Sequence, residues 1–158
     1  MSNELRIGLI GVGKWGKNYI NILKKNKEVS LKKIACKNLN EKRNLLKDYE
    51  VTDNWHDITL SSEIDGIIIA TPPKTHFEIA SEAIKNGKPV IVEKPLTLNL
   101  KEATSFLELS KKHKVVTSPI TFLSTSNAAL YCNSMPKFSD IEEGSYSSAT
   151  LIAFCQFC

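Results

Sequence analysis

Long apolar runs, regularly spaced cysteines and clustered histidines are all missing from this 158-residue sequence. Crossing a bilayer takes roughly 20 consecutive apolar residues. The apolar stretch over residues 7–12 is broken by Gly8 and Gly11, and no small-residue cleavage site follows it. It reads neither as a span nor as a secretory leader, and the expectation is a soluble, cytoplasmic chain with no membrane partner. Cys36 stands alone, while Cys132, Cys155 and Cys158 lie towards the end. A disulfide scaffold is denser and more regular. Cys155-Gln-Phe-Cys158 has the C-x-x-C form, but neither a second pair nor a nearby histidine completes a zinc site. Reduced, unpaired thiols and no metal are expected. Basic residues exceed acidic ones only slightly, 21 to 17. Lys24, Lys25, Lys27, Lys32 and Lys33 have no interleaved aromatics, which suits a solvated helix face and loop rather than a nucleic-acid partner.

The length fits one ordinary domain that needs no metal or disulfide to fold. Leu5–Ile10 is short, apolar and bounded by a glycine loop, as a buried parallel strand is. A helix is expected over residues 14–26, with Trp15, Tyr19, Ile22 and Leu23 on its apolar face. Further strands are expected over residues 31–36, 66–70 and 90–92, and helices over 41–49, 74–86 and 100–112. Pro72 and Pro73 end the strand before them. Phe77, Ala80, Ala83 and Ile84 form the inward face of the helix that follows. Gly87 sits where a C′ glycine belongs, with Pro89 beyond it. Asn99 and Glu102 make a capping pair, and Val115-Val116-Thr117 begins a last strand. Alternating strands and helices predict an α/β fold, a doubly wound parallel sheet of the Rossmann kind.

Past Leu123 no period holds. The segment is rich in Ser and Thr and ends in an apolar run over residues 151–158 with nothing evident to pack on. Its charge also differs, since Lys137 is its one base against Asp140, Glu142 and Glu143. The division read from the sequence is a dinucleotide-binding domain over residues 1–123 and an irregular tail over 124–158.

Gly11-Val12-Gly13-Lys14-Trp15-Gly16 is G-x-G-x-x-G between a strand and a helix. Gly11 permits the tight turn, Gly13 lets a pyrophosphate approach the backbone, and Gly16 lets the helix pack close to the strand. The helix N-terminus adds free N–H groups and the positive end of a dipole. A tight turn that binds nothing is the plainer alternative. Near the end of the second strand an Asp or Glu would accept bonds from the adenosine ribose of NAD. Residues 35–40 read Ala-Cys-Lys-Asn-Leu-Asn, with Lys42 and Arg43 just beyond. Lys37, beside the neutral Asn38, would attract a 2′-phosphate, which tilts the cofactor towards NADP over NAD. The alternative is that Lys37 faces solvent and Asn38 binds the ribose of either cofactor.

Two further stretches are more specific. Ala70-Thr71-Pro72-Pro73-Lys74-Thr75-His76 follows one strand, and Val92-Glu93-Lys94-Pro95 follows the next, with Gly87-Lys88 between them. Together with the glycine loop, from about Glu4 to Leu123, they resemble the Gfo/Idh/MocA oxidoreductase family. The resemblance implies a hydride transfer between a nicotinamide cofactor and a sugar, cyclitol or nucleotide-sugar hydroxyl. It implies that residues 11–16 hold the cofactor diphosphate, that Thr71, Pro72 and His76 line the cofactor cleft, and that Glu93 lies by the nicotinamide ribose; the equal alternative for His76 is a helix N-terminal residue bonded to nearby backbone. Lys94 would contact nicotinamide and substrate oxygen as the catalytic residue, where an ammonium stabilises a developing alkoxide. Lys14-Trp15-Gly16-Lys17-Asn18 and Thr121-Phe122-Leu123 are similar to members acting on nucleotide sugars, which usually have Gly-His before T-F-L where this chain has Pro119-Ile120.

Family members carry a second α/β domain with the substrate floor, the subunit interface and an acid/base, often a histidine. They are usually homo-oligomeric. Here the histidines are His56, His76 and His113, all within the first domain. The expectation is a truncated or frameshifted chain, inactive or nearly so by itself, and the alternative is a non-catalytic nucleotide-binding remnant. A methyltransferase also opens with a glycine-rich loop, but nothing in that chemistry asks for Glu-Lys-Pro after a later strand. A frameshift predicts family-like second-domain sequence in another frame of the gene beyond residue 123, and its absence there overturns that version.

Overall fold

The computed structural model describes residues 4–110, 115–117 and 136–138. The chain divides into two units, Met1–Ala103 and Thr104–Cys158. In the first, β1 (Leu5–Ile10), β2 (Val29–Ala35), β3 (Glu50–Thr52), β4 (Gly66–Ile69) and β5 (Val90–Val92) form one parallel sheet in the order β3-β2-β1-β4-β5. The chain walks outward from β1 to β3, then crosses back to β4 on the other side of β1. Right-handed crossovers therefore put the connecting helices of the two halves on opposite faces. The point of reversal, between β1 and β4, is where such sheets open a crevice at their carboxyl ends.

The strands are buried as parallel strands are, without alternation. Ile7, Leu9, Ile10, Ile34, Ile67, Ile68 and Ile69 form the centre of the core. The hydrogen-bond ladder continues one rung past each central strand: Gly11 N donates to Ala35 O at 2.8 Å, Ala70 N to Ile10 O at 2.8 Å, and Glu93 N to Ile69 O at 3.0 Å. Gly11, Ala70 and Glu93 thus leave the sheet along one edge. At the opposite edge Arg6 and Asp65 tie β1 to β4. Arg6 Nε and Nη2 donate to the two Asp65 oxygens at 2.9 and 2.7 Å, and the Arg6 main-chain N–H adds a third bond at 2.8 Å.

Helix α1 (Lys14–Leu23) packs on β2, and α4 (His76–Lys85) on β4 and β5. Helix α1 ends three residues sooner than periodicity indicates, because the chain turns and Asn26 Oδ1 accepts from the Glu28 N–H at 2.8 Å. Its inward residues are Gly16, Ile20 and Leu23, while Trp15 is 53% and Ile22 47% exposed. The glycine sets that rotation, since its side of the helix must meet the β1 turn. Strand β2 starts two residues earlier than expected, with Val29 opposite Leu5. Its lysines had the look of a loop, yet Lys33 pairs with Glu50 on β3. Helix α2 (Leu39–Leu46) begins directly after Asn38, whose φ is +61°.

Strand β3 and the short α3 (His56–Thr59) have no counterpart in the sequence reading. Ahead of α4 a 3₁₀ turn, Pro73–Thr75, replaces the expected helical start. The inward face of α4 is His76, Ile79, Ala80 and Ala83, and Phe77 and Ile84 are only half-buried. Gly87 has φ +71° and ends the helix as expected, its N–H donating to Ile84 O and that of Lys88 to Ala83 O, both at 2.9 Å. The N–H of Glu102 donates to Asn99 Oδ1 at 2.9 Å at the start of α5 (Leu100–Ser110).

In the second unit β6 (Val115–Thr117) pairs in parallel with β7 (Pro136–Phe138) as a sheet of its own. Thus β6 does not extend the main sheet as the sequence suggested, and β7 lies in the stretch read as irregular. Among the described residues no helix is long and apolar enough to cross a membrane. Cys36 is a buried free thiol, pushed up from its usual pKa by burial. Cys132, Cys155, Cys158, His113 and the Thr121-Phe122-Leu123 triplet lie outside the described residues.

The Arg6 guanidinium holds the Asp65 carboxyl below its ordinary value, mainly through the side-chain hydrogen bond. A depressed folded-state pKa contributes stability above the unfolded value of about 3.9 and loses it as pH falls further. Asp65→Asn is expected to lower the urea midpoint at pH 7, with the gap from the parent closing as the pH drops through the folded-state pKa. Urea titrations of both proteins between pH 7 and pH 3 check this.

Candidate functional site at the carboxyl ends of the strands

The turn from β1 into α1 is built on two backbone approaches. Gly11 has φ +99°, and a Cβ there would lie 2.5 Å from the Ala70 carbonyl oxygen. A Cβ on Gly16 would overlap the Gly11 carbonyl oxygen. Both glycines are therefore required by the protein itself. Gly13 differs: its φ is −81°, and a Cβ there would meet nothing within 4 Å. It stands at the N-cap of α1 with no side-chain cap, so the first N–H groups of the helix have no capping side chain, and the space beside Gly13 is open. This is a cradle that a Cβ would fill, and it fits a diphosphate on a helix N-terminus. Of the other loop residues, Val12 is buried, and Lys14 and Trp15 are exposed.

The second wall comes from β4 and β5. Thr71 and Pro72 leave β4 beside Gly11. Glu93, Lys94 and Pro95 leave β5, with the Lys94–Pro95 bond cis. His76 lies between these two turns and is only 1% exposed. Its Nδ1 is 2.8 Å from Pro95 O and its Nε2 is 2.7 Å from Thr71 O. Both ring nitrogens thus lie against backbone carbonyl oxygens, to one of which a neutral ring donates its single N–H, and the buried side chain sits between the two turns. The Thr75 hydroxyl lies 2.8 Å from Thr71 Oγ1 and 2.9 Å from Pro72 O, bracing the same turn.

Glu93 is half-buried and accepts a 2.8 Å hydrogen bond on Oε1 from the phenol of Tyr19, a residue that no sequence motif places here. Burial, followed by that bond and the carboxylate charge, pushes the Tyr19 phenol far above its ordinary pKa. Lys94 is exposed and has no ion pair among the described residues.

The β2–α2 turn forms the far end of the crevice. Lys37 and Asn38 are exposed, and Lys42 Nζ folds back to donate to Lys37 O at 3.1 Å. The turn has no carboxylate over residues 35–40, and Glu41 is exposed in the first turn of α2. No cluster of three or more His, Cys, Asp or Glu that could hold a metal occurs among the described residues.

A family model described as an oxidoreductase family with an NAD-binding Rossmann fold matches residues 5–121. The rhizopine catabolism protein MocA of Rhizobium meliloti is 30% identical over 116 residues, 71% of this chain and 36% of the relative. An inositol 2-dehydrogenase of Serratia proteamaculans is 31% identical over 114 residues, 69% of this chain and 34% of the relative. Among solved structures, a putative oxidoreductase from Magnetospirillum magnetotacticum MS-1 superposes with a TM-score of 0.63 at 38% identity, over 70% of this chain and 36% of that one. The chain spans about a third of the length of these proteins.

Replacing His76 with Ala would leave a buried void and remove the ring N–H donor from between the Pro95 and Thr71 carbonyls. The expected loss of unfolding free energy is about 2–4 kcal/mol. Urea denaturation of His76→Ala against the parent measures it. A loss within about 0.5 kcal/mol, the range of an ordinary surface change, would show that the ring does not join the turns.

Proposed function

The chain belongs to the Gfo/Idh/MocA oxidoreductase family, and from that premise we propose that it is the NAD(P)-binding part of an enzyme acting on a polyol hydroxyl, in a sugar, cyclitol or nucleotide sugar. The observation that carries the reading is Gly13, a glycine that neither packing nor φ demands, placed beside an uncapped helix N-terminus. A nicotinamide cofactor supplies hydride transfer there. The chain's own residues do the rest. The backbone of residues 11–16 holds the diphosphate against the dipole of α1. Thr71 and Pro72 wall the cleft, and Glu93 accepts from the hydroxyls of the nicotinamide-side ribose. Lys94, which has no ion pair among the described residues, would bring its ammonium to the substrate oxygen and stabilise the negative charge that develops there as the carbon–hydrogen bond breaks and hydride leaves the carbon.

NADP is the favoured form of the cofactor. Lys37 and Lys42 put two cations at the end of β2, where a ribose-binding carboxylate would favour NAD. Similarity to the inositol 2-dehydrogenase of Serratia proteamaculans supports a cyclitol as one member of the substrate class. We place the cofactor-binding unit over residues 1–123. The reduced-thiol reading of its cysteines supports action in the cytoplasm.

The test is a titration with NADPH and NADH, read by tryptophan quenching and energy transfer, because Trp15 lies in the first turn of α1 beside the cradle. NADPH is expected to bind more tightly than NADH. Gly13→Ala is expected to keep the fold within about 1 kcal/mol while weakening both cofactors tenfold or more. The double variant Lys37→Ala/Lys42→Ala is expected to abolish the preference for NADPH. Folded parent protein that binds neither cofactor would overturn the reading.

A further inference from the structure

Resting on that cofactor-binding reading, we propose that Tyr19 is a positioning residue, which aims the Glu93 carboxylate at the nicotinamide-side ribose and so makes α1 serve both halves of the cofactor. The argument starts from where the two residues come from. Tyr19 lies on α1 one turn beyond Trp15, and Glu93 follows β5, 74 positions later in the chain. Yet the phenol donates to Glu93 Oε1 at 2.8 Å. The main chain of Glu93 is already fixed, its N–H donated to Ile69 O at 3.0 Å. With the backbone held by β4 and one oxygen held by α1, the carboxylate has little freedom left.

A carboxylate offers about four acceptor positions on its two oxygens. The phenol occupies one on Oε1, and Oε2 has no hydrogen-bond partner among the described residues. That oxygen is therefore left to accept from a ligand diol in a set direction. Without the phenol, a three-torsion side chain at a half-buried site would spread over several rotamers, and each ligand bond would bear the cost of ordering it. The raised pKa of Tyr19 keeps the proton on the phenol, so it stays a donor. The same helix presents the cradle at Gly13. One rigid element thus places both the diphosphate donors and the ribose acceptor.

Three ligands of graded length separate this role from a packing role. ADP reaches only the diphosphate, ADP-ribose adds the second ribose, and NADPH adds the nicotinamide together with a 2′-phosphate at the other end of the crevice, so each ligand is compared between variant and parent. Affinities of the full chain are measured by competition against NADPH energy transfer. In Tyr19→Phe, which keeps the packed ring, ADP-ribose and NADPH are expected to weaken about five- to tenfold, the worth of one net hydrogen bond. ADP should stay within about twofold. Glu93→Ala, which leaves the phenol in place, should give the same pattern, and Tyr19→Phe added to it should cost nothing more. Equal weakening of all three ligands, or no weakening of any, overturns the proposal while the cofactor reading stands. A folded parent protein that binds none of the three ligands overturns that reading, and this inference with it.

Discussion

At the start of α1 the helix runs so close to the β1 turn that a methyl group on Gly16 would overlap the Gly11 carbonyl oxygen. A methyl group on Gly11 would in turn strike the backbone after β4. These two contacts of backbone on backbone fix most of what surrounds them. They choose the face of α1 that meets the sheet, which brings Ile20 and Leu23 inward and leaves Trp15 outside. They put Tyr19 at the margin of the buried face, within reach of the residue after β5. They also hold the uncapped N-terminus of the helix beside the turn after β4, at the point where strand order reverses.

Polar groups around that crevice divide into those that hold the protein to itself and those that remain available. His76 and Thr75 spend their hydrogen-bonding capacity on Thr71, Pro72 and Pro95. Lys94 and the second oxygen of Glu93 are not spent in this way. The separation is physically sensible, because a group that must meet a ligand in one geometry needs a support that does not itself respond to the ligand. His76 shows why residue type and position do not fix a role. A histidine at the start of a helix after a strand reads equally as a cleft residue or as one bonded to nearby backbone, and burial between two backbone carbonyls favours the second.

The parts legible in the sequence were those whose signal is local. Leu5–Ile10 and the isoleucines before Ala70 are apolar without alternation, and the chain has too little room for them to be anything but buried strands. Gly87 could be placed as a helix stop because its left-handed conformation follows from being glycine after a helical period. Helix faces were less legible. The apolar stripe of Trp15, Tyr19 and Ile22 competes with that of Gly16, Ile20 and Leu23, and what decides between them is a contact with Gly11 that no hydrophobicity pattern contains. Strand β3 is three residues long and polar at one end, and β2 carries two lysines, so neither has a strong period. The bonds from Tyr19 to Glu93 and from His76 to Pro95 join residues 74 and 19 positions apart. They exist only because the sheet order brings those strand ends together.

The two ends of the crevice are built to different stiffness, and that bears on how a cofactor is chosen. At the end formed by the turns after β4 and β5, bonds of 2.7–3.0 Å from β4, α1 and His76 hold the turns. At the end formed by the β2–α2 turn the candidates are the exposed Lys37 and the half-buried Lys42, the latter folded back on the Lys37 carbonyl oxygen at 3.1 Å. Exposed cations act through a field that salt screens beyond about 8–10 Å at ordinary ionic strength, whereas a fixed carboxylate reads a diol through directional hydrogen bonds. A preference for a 2′-phosphate carried by Lys37 and Lys42 is therefore electrostatic and sensitive to ionic strength. In the proposed reading, recognition of the second ribose through Glu93 would be geometric and insensitive to it. The cofactor's common half would then be read by shape, and the group that distinguishes its two forms by charge.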